Sequence, residues 1–250
     1  MKKLLLLGIT AAALTAAGTA QAAAGLGLRG ETGLAKTPIA AALPPLTLAF
    51  AADFVASDDV FIPMRAEFGV IEGLEMGGHY WYLDIPGDSE AWGVNAKYVF
   101  PPLVQNLGLA VGGHYREQNI GDINNNGHDV YFVATYPVGF FVPTFGVMYE
   151  SLTGDNDESD VRFFGSIVFN VLPTFALGAE IMSASDKLDD LMYGEDADDP
   201  AMWFGARFMP LGGLTVQAGL LNYADLGGGP EDFEQFVFHI GMQYAFGFEQ

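Results

Sequence analysis

Residues 236–248 read FVFHIGMQYAFGF, with Glu249 and Gln250 behind them. Phe236, Phe238, Ile240, Met242, Tyr244, Phe246 and Phe248 recur at every second position, so an extended chain places all seven on one face. Val237, His239, Gly241, Gln243 and Ala245 take the other face. In a soluble sandwich the aromatic face of such a strand is buried in a core. In a membrane barrel it meets lipid, and the small or polar face looks into a lumen. The rest of the chain decides between the two.

From residue 46 onward the sequence divides into about twelve alternating segments. They are LTLAFAADF (46–54), MRAEFGVI (64–71), LEMGGHYWY (74–82), WGVNAKYV (92–99), LGLAVGGHYR (107–116) and VYFVATY (130–136). TFGVMYE (144–150), VRFFGSIVF (161–169), TFALGAEIM (174–182), MWFGARF (202–208), LTVQAGLL (214–221) and the closing stretch complete the set. A tilted strand needs roughly ten residues to cross a bilayer.

The connections separate two kinds of end. Short apolar turns (72–73, 101–106, 137–143, 170–173, 209–213) alternate with acidic stretches (57–63, 84–91, 117–129, 152–160, 183–200, 222–235), and the acidic set holds 23 of the 31 acids. An up-and-down meander puts alternate connections at one end, whereas a Greek-key sandwich mixes them. The expectation is therefore an all-β transmembrane up-and-down antiparallel barrel of the bacterial outer membrane. Twelve strands are expected, with ten and fourteen the nearest alternatives.

The front of the chain fits export. Lys2 and Lys3 precede an apolar run and the small-x-small site Ala20-Gln21-Ala22, which predicts a signal peptide over 1–22 and a barrel over 46–250. Residues 23–45 remain as a periplasmic or luminal segment. It either runs into the lumen or pairs as a further short strand, and Pro38 and Pro44-Pro45 argue against a full crossing. The chain has no Cys, so neither disulfides nor a lipid-modified Cys is available. A net charge of −21 repels phosphate and excludes nucleic acid as a partner.

His239-Ile-Gly241-Met-Gln-Tyr244-Ala-Phe246, with Phe248 beyond, resembles the terminal-strand signal read by the outer-membrane assembly machinery. That resemblance implies the machinery as a partner, beside outer-membrane lipid and lipopolysaccharide. GETGLAKTPIA (30–40) resembles the opening of YjbH-type outer-membrane proteins, which implies a link to exopolysaccharide.

A charge on the lipid face costs roughly 2–4 kcal/mol at the midplane. Arg65, Glu67, Glu75, Lys97, His114, Arg116, Arg162, Glu180, Arg207 and His239 are accordingly expected to line the lumen. Glycines on the same face, among them Gly77, Gly112, Gly146, Gly205 and Gly219, are expected to leave space there. Together these point to a narrow porin-like channel for small polar solutes with no cofactor. The alternative is a closed structural barrel whose acidic loops serve at the surface. Asp122-x-Asn124-x-Asn126-Gly127, with Asp129, resembles the start of a calcium loop, and loop acids would share divalent cations with lipid phosphates. An outer-membrane hydrolase is the third reading. It would need a Ser beside a His near the outer rim, which the sequence does not offer, or a rim site at His128-Asp129. The protein is therefore read as a non-enzyme.

Overall fold

Fourteen strands are present among the described residues of the computed structural model, which are 25–35, 37–56, 60–83, 89–120, 123–154, 157–185, 200–222 and 236–247. The expected signal peptide, Asp122, Phe248 and all the acids of 183–200 and 222–235 lie outside them. Two strands are two-residue pieces, β1 (Gly25–Leu26) and β2 (Thr32–Gly33), paired with each other, and Gly33 also bridges to Pro38. The other twelve are β3 (Thr47–Ala56), β4 (Val60–Ile71), β5 (Leu74–Leu83), β6 (Ser89–Val99), β7 (Gly108–Ile120) and β8 (Ile123–Thr135), followed by β9 (Phe141–Gly154), β10 (Glu158–Leu172), β11 (Phe175–Met182), β12 (Ala201–Leu211), β13 (Leu214–Asn222) and β14 (Phe236–Gly247). Each pairs antiparallel with its neighbours in sequence, and β14 pairs with β3 from Phe238↔Ala56 to Gly247↔Thr47. The result is a closed up-and-down barrel of twelve strands. Closure leaves no unpaired edge, which a chain surrounded by hydrocarbon requires.

The strands are longer than their apolar alternation suggests. β7 and β8 pair without interruption from Gly108↔Thr135 to Ile120↔Ile123, so only residues 121–122 separate them. β9 and β10 likewise reach Gly154 and start again at Glu158. Stretches expected as long loops, 117–129 and 152–160, are thus largely hydrogen-bonded ribbon. Their Asn, Asp and Gly residues resemble loop composition, yet the ladder continues regardless of side chain, beyond the roughly 9–11 residues a crossing needs. The opposite end turns tightly. Gly73 (φ 79°) and Gly213 (φ 80°) take left-handed backbone at two-residue turns. Their carbonyls accept from Val99 and Ala245 of the next strand at 2.7 and 2.8 Å.

Outward positions carry Phe50, Tyr80, Val94, Phe132, Phe145, Phe163, Leu177, Phe204 and Met242, all exposed. Inward positions carry nearly all the buried charge. This inversion of a soluble fold follows from the solvent: the apolar belt suits lipid, and polar groups must be satisfied inside.

Candidate functional site: a lumen filled by the N-terminal segment

All ten side chains expected in the lumen are buried on the inner face, from Glu67, Glu75 and His239 (0 % exposed) to His114 (6 %). They do not surround an open axis. Residues 26–35, 37–39 and 43 of the preceding segment are buried as well, inside the barrel.

Glycine shapes this segment. Gly30 has φ 107°, and a Cβ on Gly33 would lie 2.4 Å from the Thr37 carbonyl oxygen, so the chain can coil on itself at both points. The coil satisfies much of its own backbone. Gly27 N–H donates to Glu31 O (2.8 Å), Leu28 to Ala35 O (2.6 Å), Leu34 to Thr37 O (2.9 Å) and Ile39 to Thr32 O (3.1 Å). The segment joins the wall through Leu46, whose φ is 57° and whose N–H donates to Gly69 O at 2.7 Å.

Its remaining groups are met by the wall. Glu31 lies 2.8 Å from Nε2 of His114, and Lys97 donates to the Thr32 carbonyl at 2.9 Å. Glu75 accepts from the N–H of Thr32 and of Leu43, each at 2.9 Å, and pairs with Lys97 at 2.7 Å. Glu180 accepts from the Thr37 hydroxyl at 2.8 Å, and Arg207 donates to Gly33 O at 2.7 Å. Trp81 donates to Leu28 O at 3.0 Å, and Leu26 N–H donates to Gln243 at 2.8 Å. Leu28, Leu34, Ala35 and Ile39 share one apolar cluster with Phe61, Trp81 and Trp203.

The wall also binds itself. Three arginines converge on Glu150: Arg29 of the segment at 3.2 Å, Arg116 at 2.5 Å and Arg162 at 3.5 Å. Asp129 pairs with Arg29 at 3.1 Å and with His114. Asp53 pairs with Arg65, accepts from Gln217 at 3.1 Å and lies 3.3 Å from His239 Nε2, while Trp203 donates to His239 Nδ1 at 3.2 Å. Neither carboxylate oxygen of Glu67 has a hydrogen-bond partner among the described residues.

The inward glycines do not leave the space expected of them; other groups occupy it. A Cβ on Gly146 would lie 2.0 Å from the Phe164 ring, one on Gly112 would lie 2.3 Å from the Tyr131 hydroxyl, and one on Gly205 would lie 2.3 Å from Trp203. One on Gly77 would meet Glu67, and one on Gly219 would come within 2.7 Å of Trp203 Nε1. Each glycine is a seat for a neighbouring large side chain.

Three of the four residues of the calcium pattern are described. Asp122 is outside the described residues, and Asn124, Asn126 and Asp129 are all on β8. Strand alternation turns Asp129 into the lumen, where Arg29 and His114 engage it, while Asn126 accepts from the Tyr115 hydroxyl at 3.1 Å. The same alternation separates His128 from Asp129: His128 is exposed, 5.1 Å from the Tyr115 ring, so the two cannot form one rim site. In the terminal-strand pattern, His239 and Gly241 face inward, Tyr244 is exposed and Phe246 half-buried. A Cβ on Gly241 would fall on the Asp53 carboxylate, so this glycine has a packing reason of its own.

An apolar-outside, charged-inside closed meander is the architecture of outer-membrane β-barrels. Among solved structures the chain is similar to the KdgM porin in complex with disordered oligogalacturonate, at 12% identity, 79% of this chain, 99% of that chain and a TM-score of 0.61. It is also similar to the NanC porin, at 12% identity, 79% of this chain, 98% of that chain and a TM-score of 0.57. No protein-family model matches, and no curated protein does. At these identities the likeness is one of fold.

Proposed function

We propose that this protein is a porin-like conduit of the bacterial outer membrane for small polar solutes, with residues 26–43 as its internal plug. The observation that carries the reading is the character of the wall. Its buried charges spend much of their bonding on one chain segment, and water or a polar solute offers the same donors and acceptors. Eight-stranded barrels hold side chains alone and sixteen-stranded ones an aqueous channel, so twelve strands leave room for an insert that can yield to solute.

The KdgM porin structure is a complex with disordered oligogalacturonate. The wall here sets six buried carboxylates against five buried Lys and Arg among the described residues. Such a balance favours small neutral or cationic solutes over polyanions.

One observation favours the second reading, a closed barrel. Trp203 lies against Gly178, Gly205 and Gly219 and fills the space they would leave. In that reading the acidic connections act at the surface, with divalent cations, lipopolysaccharide or, from the N-terminal resemblance, exopolysaccharide. Currents through the mature chain refolded into planar bilayers separate the two. Discrete steps whose selectivity moves toward cations in Arg162→Ala support the conduit. Silence from folded, inserted protein supports the closed barrel.

A further inference from the structure

Arg29 is gripped at both ends by the barrel wall. Its guanidinium offers Nη1 to Asp129 at 3.1 Å and Nη2 to Glu150 at 3.2 Å. Its main-chain carbonyl accepts from Asn95 Nδ2 at 3.2 Å and His79 Nδ1 at 3.0 Å. These four groups sit on β5, β6, β8 and β9, where sheet pairing fixes them. The receptor is therefore built by the wall, and the segment supplies only its occupant. Two carboxylates spaced for two guanidinium nitrogens match a planar fork, which a compact ammonium does not reproduce.

A second observation points the same way. Glu67 is fully buried, both its oxygens lack a hydrogen-bond partner among the described residues, and it faces the same stretch of segment. A Cβ on Gly30 would lie 2.5 Å from Asn95 Nδ2 and 3.5 Å from Glu67 Oε2, so the segment presents bare backbone to both groups.

We infer that the lumen holds a binding site for a guanidinium-bearing solute with a carbonyl close by, an arginyl amide in chemical terms, and that Arg29 occupies it as an internal stand-in. Access of an external solute to that site rests on the conduit reading, whereas the site itself does not.

The test uses the full mature chain carrying Arg29→Ala, refolded in detergent and checked by heat-modifiable gel mobility. Millimolar methylguanidinium should raise its unfolding temperature by a few degrees. Methylurea, neutral and of similar shape, should leave it unmoved, as both should for the parent protein, whose site is filled. Adding Asp129→Asn should abolish the response. Where Arg29→Ala refolds poorly, refolding yield with methylguanidinium against methylurea reads the same contact. Equal response to both compounds, or none from folded protein, overturns the site. A selective response from protein that passes no current keeps the site and removes the conduit. Current without a selective response keeps the conduit and overturns the site.

Discussion

The outer and inner faces of this barrel obey different rules. Phe145, Phe163 and Met242 stand 70, 58 and 59 % exposed on the outer face, where the requirement is solubility in hydrocarbon. On the inner face Glu150 meets Arg29, Arg116 and Arg162, and Asp53 meets Arg65, Gln217 and His239. A face bathed by a fluid needs side chains of the right kind. A face closed upon itself needs particular partners at particular distances, because a buried charge left alone is costly.

That contrast can be broken by substitution. The largest effect is expected from Glu150→Ala, which strands buried arginines and should cost about 3–5 kcal/mol, read as a fall in the urea midpoint of the refolded barrel. A loss no greater than that of Phe163→Leu would contradict the convergence of charges on Glu150. Next comes Phe163→Arg, which should cost roughly 2–4 kcal/mol if this position lies near the bilayer midplane. Were Phe163→Arg harmless, the outer face would not be a lipid face there. The smallest of the three is Gly146→Ala. The new methyl would press on the Phe164 ring and cost about 1–3 kcal/mol, most of it recovered in combination with Phe164→Leu. An additive double variant would mean that Phe164 does not lie over Gly146.

The two rules also explain what could be read in the sequence. Period-two alternation is imposed by lipid on every strand, so twelve alternating segments and their faces were legible from residue types alone. The partners were not. Asp129 has the composition of a calcium loop because Asn and Asp surround it, and only the unbroken pairing of β7 with β8 turns it toward Arg29. Glycine reads as space in a sequence, whereas Gly146 and Gly205 are seats for Phe164 and Trp203. Strand ends were missed because backbone pairing, which has no side-chain signature, carries β8 through Asn124, Asn125 and Asn126. Arg29, Glu31, Thr32 and Thr37 were absent from the expected lumen set because they lie outside the twelve alternating segments, and the two-residue β2 that holds Thr32 is too short for alternation to orient. The recurrence of glycine at 27, 30 and 33 was the available sign of a coiled insert rather than a crossing strand.

The most direct test of the account is the single-channel conductance of the mature chain against a chain lacking residues 26–43, both confirmed as folded barrels by heat-modifiable mobility. If that segment occupies the lumen and limits passage, the shortened chain should show uniform steps several-fold larger than any from the full chain. Equal conductance from the two folded proteins would contradict a lumen closed by its own N-terminal segment.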